Sequence, residues 1–382
     1  MSLTVREAVT KADRRAFVDL QWAMYANDPH WVPPLKSEAR DLIDPKGTNP
    51  WFEHARAVYF LAERDGSIVG RISAQVDDLV LEWQGPGLGH FGLFESIDDQ
   101  TVADALVAAA AGWLRAQGMT RMQGPFSLSV WDEVGLHVAG FDSDPTIMMG
   151  HGLPYYERLL TAAGLAAVKD THSWQVDITR EFPPLVQKIV ANGERNPRLR
   201  VRTLRKAQFD SEFATILGIL NDAWSTNWGF VPLTPSEIAY AGKKFKPIVF
   251  EDLIYLADYD GETVGFMIAV PDMNEVIKRL NGRLLPFGWI RLLRQLRKPR
   301  ALRIRVPLMG IKKKLQGSRT ASTLAFMMIE YTRRNAHRKF HSTDAEIGWI
   351  LEDNGPMRSI AEVLNGTVTR THRVFEKALV LP

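Results

Sequence analysis

Cysteine is absent from all 382 residues of the chain. That excludes a disulfide framework, a thiolate zinc site and an acyl-cysteine intermediate together. No uncharged run approaches the roughly 18 residues of a membrane-spanning helix, and the opening MSLTVREAVTKADRR lacks the apolar core of a secretory signal. A cytoplasmic protein is therefore expected. A further absence is local. From Val276 to Ile329 there is no Asp or Glu in 54 residues, against 14 Lys and Arg. The net charge is only +3, so the rest of the chain is net acidic. A basic block in a near-neutral protein points to one anionic partner at one place: cofactor phosphates, a membrane surface or nucleic acid. Aromatic residues are too sparse for a stacking platform, which argues against nucleic acid.

What is present includes an internal repeat. YFLAERDGSIVGRISAQVD (Tyr59 to Asp77) and IYLADYDGETVGFMIAVPD (Ile254 to Asp272) align without gaps, with eight identities in 19. Each is a β-rich run, Asp-Gly, and a second such run, the pattern of a hairpin with a tight two-residue turn. The same hairpin twice, half a chain apart, predicts a duplicated domain. The flanking elements also repeat in order: strand, helix, hairpin, strand, helix, strand, helix, strand. The expected division is a first domain over 1–180, a linker over 181–197 with its Pro-Pro and Asn-Pro breaks, and a second domain over 198–382.

That order resembles the Gcn5-related N-acetyltransferase (GNAT) superfamily, once per half. The resemblance implies an α/β (α+β) chain of two tandem GNAT-like domains, each a twisted, mostly antiparallel sheet flanked by helices. In that family a strand leads into a basic, glycine-containing loop and a helix N-terminus that bind the pyrophosphate of CoA. Here the second half reads GIKKKLQGSRTASTLAFMMIEY. Gln316, Gly317, Ser318, Arg319, Thr320 and Ala321 match the family pattern, except that Arg319 replaces its middle glycine. The residues themselves support anion binding, because a helix starting near Thr320 offers free N–H groups and its positive dipole end beside Lys312, Lys313 and Lys314. The corresponding loop of the first half, Glu95 to Gln100, is acidic and would repel a pyrophosphate. Asp98 or Asp99 should cap the helix there. Narrower phrases, among them DPHWVPPL, NPWFEHA, GHFGLFE, LPYYERLL and EIGWILEDNGPM, resemble the bacterial ceramide synthases. That resemblance implies transfer of a long-chain acyl group from acyl-CoA to the amine of a sphingoid base.

Without cysteine, the amine should attack the thioester directly in a ternary complex. The resemblance puts the reacting carbonyl near the strand Leu308 to Ile311, with Leu308, Gly310 and Ile311 on the acyl-CoA side, and Asn354 near the pantetheine arm. Asn354 is equally well read as a helix N-cap. Glu346 is the expected base and His341 the second candidate. Many relatives carry a tyrosine as general acid where this chain has Glu362. HRKFH (His337 to His341) lacks the glutamate of a zincin, so no metal is expected. In the first half Trp131, Tyr155, Tyr156 and His90 are candidates for an acceptor cleft. The second half also has an insertion at about 273–302. As a helix it gathers Leu285, Trp289, Ile290, Leu292, Leu293 and Leu296 opposite Arg291, Arg294, Gln295, Arg297 and Lys298, the pattern of a helix lying on anionic lipid. A protein peripheral on the inner face of the cell membrane is expected. The rival readings are an acetyltransferase for a soluble amine or a protein, and a binder of CoA or lipid that has lost its chemistry.

Overall fold

Both Asp-Gly pairs form tight hairpin turns. In the computed structural model, which describes residues 2–246, 249–297 and 300–379, Asp65 and Gly66 take φ of 51° and 80°, and Asp260 and Gly261 take 49° and 82°. Two consecutive positive φ values match the right-handed twist of the flanking strands.

The first half runs β1 (Leu3–Glu7), α1 (Lys11–Met24), α2 (Lys36–Leu42), β2 (Ala55–Arg64), β3 (Ser67–Asp77) and α3 (Asp78–Trp83). It continues with β4 (Leu88–Ser96), α4 (Gln100–Ala116), β5 (Arg121–Gly124), β6 (Leu136–Ala139), α5 (Tyr156–Ala162) and β7 (Ala166–Asp177). Next come α6 (Pro184–Glu194), β8 (Leu199–Thr203), α7 (Phe209–Trp224), α8 (Pro235–Phe245), β9 (Ile254–Tyr259) and β10 (Glu262–Pro271). The chain closes with α9 (Asn274–Leu280), α10 (Gly288–Arg297), β11 (Arg303–Ile311), α11 (Arg319–Asn335), β12 (Asp344–Leu351), α12 (Gly355–Val363) and β13 (Thr367–Ala378).

Two compact units result. The first holds Met1–Thr171, Val276–Gly288 and Arg370–Pro382; the second holds His172–Glu275 and Trp289–Thr369. These units differ from the expected boundaries in three places. Residues 181–197 are not a linker: they contain α6, whose Val186 and Val190 join the core of the second unit. Proline at a helix start costs little, because the first turn has no use for its N–H. The end of β13 belongs to the first unit, where Phe375↔Gly124 and Arg373↔Leu136 pair it with β5 and β6. Part of the insertion does too, since Lys36 N–H donates to Gly282 O and Trp22 Nε1 to Asn281 Oδ1.

In the first unit the strand order is β1-β2-β3-β4-β5-β13, with β6 also on β13. In the second it is β7-β12-β11-β10-β9-β8. β4 pairs with β5, and β11 with β12, in parallel, while β4 meets β3 and β11 meets β10 antiparallel. Helix α4 starts where Asp99 accepts from Thr101 N–H, and lays Val102, Leu106, Ala110 and Leu114 on the first sheet at four-residue spacing. Helix α11 starts at Ser318, whose side chain accepts from Ala321 N–H, and buries Leu324 and Met328 completely. Each such side chain contributes about 1.5–3 kcal/mol.

The insertion forms α9 and α10. Nothing in α10 is buried: Trp289, Ile290 and Leu293 are 49%, 38% and 37% exposed, and Leu285 just before it is 77% exposed. Lys298 lies outside the described residues. No helix among the described residues is long and apolar enough to cross a membrane.

Candidate functional site

The second unit's parallel strands part. β11 and β12 are in register from Arg303↔Asp344 to Val306↔Ile347, and beyond that pair they separate. On its other edge β11 follows β10, but with a bulge: Ile268 faces Leu308 while Val270 faces Arg305. The extra residue lies at Val306–Pro307, and Pro307 has no N–H to give a ladder. The opening is lined by Trp224, Asn227, Pro307, Met309, Trp349 and Asn354, among others.

The antiparallel ladder decides which amides of β11 face this cleft. Lys312 N–H donates to Val264 O, so alternate residues 310 and 308 also turn their N–H groups toward β10. Met309 and Ile311 turn theirs the other way. The carbonyls agree, because that of Met309 accepts from Trp224 Nε1 at 3.1 Å and that of Ile311 from Gln316 Nε2 at 2.9 Å. Of the expected strand residues, Ile311 therefore keeps an outward amide, Leu308 and Gly310 do not, and Met309 must be added.

The loop after β11 follows the expected helix-start geometry. Gly317 has φ of +75°, and Arg319 is the first residue of α11, with no positive φ. The family's middle glycine is therefore not required by the backbone here. Ser318 accepts from Ala321 N–H, which leaves the Arg319 and Thr320 amides at the helix start. Arg319 and Lys313 are exposed. Lys312 Nζ lies 2.9 Å from Glu262 Oε1, and Lys314 also pairs with Glu262. The hydrogen bonds from Lys314 and Lys312 hold the Glu262 carboxyl below its usual range. An incoming pyrophosphate must compete for those two lysines. Gln316 is a positioning residue: its side-chain N–H groups are engaged by Ile311 O and Ala223 O.

Asn354 combines both of its readings. It caps α12, accepting from Met357 N–H at 3.2 Å, and it lines the cleft. Glu346 is 6% exposed and stands one residue before the last registered pair, beside Arg305, which is 3% exposed and donates to Gly348 O. Strand residues alternate between faces, and Ala345 and Ile347 face α11, so Glu346 lies on the opposite face at the vertex of the split. His341 lies elsewhere. It is exposed, precedes β12 and borders a separate hollow with Leu302 and Phe340, whereas the cleft opens past the strand's middle. Glu362 is exposed beside Arg358 and does not line the cleft. Among the described residues no group of three His, Asp or Glu could hold a metal ion.

In the first unit the matching split is filled. β4 and β5 pair in parallel from Leu88↔Arg121 to His90↔Gln123, after which Phe126 N–H donates to Phe91 O and Gln75 Nε2 to the Phe126 and Leu128 carbonyls. The chain itself occupies the place of a ligand. Tyr156 is buried rather than lining a cleft, and its OH donates to Glu95 Oε2 at 2.6 Å, as does that of Tyr25 at 2.8 Å. Burial and Glu95 raise the Tyr156 phenol well above its ordinary value. Tyr155 OH donates to Ser96 O, and Trp131 N–H to Ser129 Oγ. His90 is buried with Nε2 unsatisfied, and burial lowers it to about 4. Trp289 is on exposed α10 and is not among the residues that line the second unit's cleft.

Sequence reading passed over Trp224, Asn227, Pro307, Met309 and Met357. Of these only Pro307 carried a signal, because proline inside a strand marks a bulge or an edge.

No protein-family profile matches the chain. The chain is 41% identical over 378 residues to the bacterial ceramide synthase of Caulobacter vibrioides, covering 99% of this chain and 98% of that one. It is 37% identical over 379 residues to protein YghO of Escherichia coli, covering 98% and 95%. Among solved structures, a tandem GNAT protein from the clavulanic acid biosynthesis pathway superposes with a TM-score of 0.58 at 12% identity, covering 99% of both chains. A GCN5-related N-acetyltransferase from Sphaerobacter thermophilus gives 0.54 at 14% identity, covering 99% of this chain and 96% of that one. Full-length identity above two-fifths and a shared tandem fold lead to one conclusion: the chain belongs to the bacterial ceramide synthase family of GNAT-fold acyltransferases.

Proposed function

We propose that the protein transfers a long-chain acyl group from acyl-CoA to the amine of a sphingoid base in the second unit's cleft. The observation that carries this is the continuity of one site. A helix N-terminus with Lys313 and Arg319 stands at one end of β11, and the strand's outward amides lead from it into the split with β12. The CoA pyrophosphate would sit on the Arg319 and Thr320 amides. The thioester carbonyl would lie along β11, with the Met309 and Ile311 amides facing the charge that develops on its oxygen. The amine lone pair attacks the carbonyl carbon and Glu346 takes the ammonium proton. The C–N bond forms as the C–S bond breaks, and CoA leaves as its thiolate, which a thiol pKa of about 8.5 makes tolerable.

The acceptor is a lipid, and the exposed face of α10 supports a peripheral position on an anionic membrane. Leu285, Trp289, Ile290 and Leu293 are exposed beside Arg291, Arg294 and Arg297, in a stretch without acidic residues. Turnover of the purified protein with acetyl-CoA or palmitoyl-CoA, each offered sphinganine and 3-ketosphinganine, tests the proposal by mass spectrometry. An N-acyl product from palmitoyl-CoA supports the lipid reading. Product from acetyl-CoA alone would replace it with an acetyltransferase, and no product from either, with lipid present, would leave a soluble-amine enzyme or a binder.

A further inference from the structure

The split between β11 and β12 does not end at its polar mouth. Val306, Met309, Ile347 and Met357 line both that mouth and a second, deeper gap between the sheet and helices α11 and α12. The sheet side of the deeper gap crosses four adjacent strands, from Met267 of β10 through β11 and β12 to Val176 of β7 and Ile178 just after it. Its helix side is Ile329 of α11 and Ile360 and Leu364 of α12 and its end. Three strand spacings of roughly 4.8 Å make about 14 Å. A chain that enters at the β11–β12 split crosses only β12 on its way to β7, about 7–10 Å of that span, and at roughly 1.2 Å per bond this is about six to eight carbons.

The far end is closed by charge. Arg333 lines the gap, and it also lines a basic surface hollow with Tyr331, Arg334 and Arg338, so its guanidinium is the wall between the two. Glu330 holds that guanidinium at 2.7 and 2.8 Å, Arg180 O accepts from it at 3.1 Å, and Phe182 lies under it at 5.4 Å. A methylene chain stops there, because going further would require separating a buried ion pair. As it stands the gap holds only about 30 Å³, room for little more than a water. Two methionines at its entrance, Met309 and Met357, and Met267 on its β10 side are the side chains best suited to move aside.

We infer that this gap is the acyl-chain channel of the proposed reaction, and that Phe182 and the Arg333–Glu330 pair set the chain length it takes. The inference rests on acyl-CoA binding at the β11–β12 split but not on the identity of the amine. A polar thioester end thus stays at the mouth, and each further methylene leaves water until the wall is reached.

The test is binding of CoA thioesters of even chain length from C2 to C18 to the full-length protein by calorimetry, followed by turnover with the same series. Affinity should rise about fourfold per methylene through the middle of the series and level off near the channel's length. Phe182→Ala should move the plateau to longer chains by about two carbons. Ala345→Leu, which puts bulk into the middle of the gap, should move it to shorter ones. Two variants with opposite expected shifts guard against a fold defect, which would weaken all chain lengths alike. Affinity that is independent of chain length, or the same plateau in both folded variants, overturns the channel. Chain-length-dependent binding with no N-acyl product from any amine leaves the channel standing and sinks the amide-forming reading.

Discussion

Gln316 reaches back five residues to donate to the carbonyl of Ile311 at 2.9 Å, and the same nitrogen donates to Ala223 O at 3.0 Å. One side chain thus ties the end of β11 to α7 at the point where the basic loop before α11 begins. Gln316→Ala should raise KM for acyl-CoA about tenfold with kcat little changed, because it loosens the loop without touching the reacting carbon. Arg319→Ala should weaken binding only about three- to tenfold, and the loss should shrink at high salt because the residue is exposed. A salt-independent loss in Arg319→Ala would mean that it acts through the helix rather than through charge.

Gly92 is the matching close contact in the first unit. A Cβ there would fall 1.6 Å from Phe126 O, on backbone that cannot swing away. Gly92→Ala should therefore cost about 3 kcal/mol in denaturant unfolding, the upper range for overpacking. An unchanged midpoint would show that the filled split is loose.

Glu346→Gln should lower kcat by about 10²–10⁴ while leaving acyl-CoA affinity intact. Retained kcat would move the proton acceptor to another group.

Stability should depend on pH through His90. Burial lowers this imidazole to about 4, below the unfolded value of about 6.5. Between those values the unfolded chain binds the extra proton, so stability is complete above about pH 6.5 and is lost as the pH falls toward 4. His90→Phe should flatten that part of the profile in urea melts at pH 4.5 and 7.5.

Sedimentation with vesicles checks the insertion. Leu285→Ser with Trp289→Ser should release the protein from vesicles rich in phosphatidylserine, and 0.5 M salt should also weaken the wild type. Equal binding to neutral vesicles would argue against the arginines as lipid contacts.

The elements that carried a local signal were legible without coordinates. Asp-Gly twice fixed two hairpins, because two consecutive positive φ values are accessible to few residue pairs. The periodic apolar faces of α4 and α11 marked two helices, with starts expected near Thr320 and at Asp98 or Asp99, and the structure puts the caps at Ser318 and Asp99. The basic run from Lys312 to Arg319 was visible by composition alone, and it lies where β11 passes into α11. Tertiary structure decided the rest. A strand's outward amides depend on the register it takes with its neighbour, so only pairing with β10 could separate Met309 from Leu308. The same holds for Glu346 and His341, five residues apart, one at the vertex of the split and the other at the far end of the strand. Whether a split between strands stays open or is filled by its own chain, as Phe126 fills the first, depends on contacts distant in sequence. No local pattern records them.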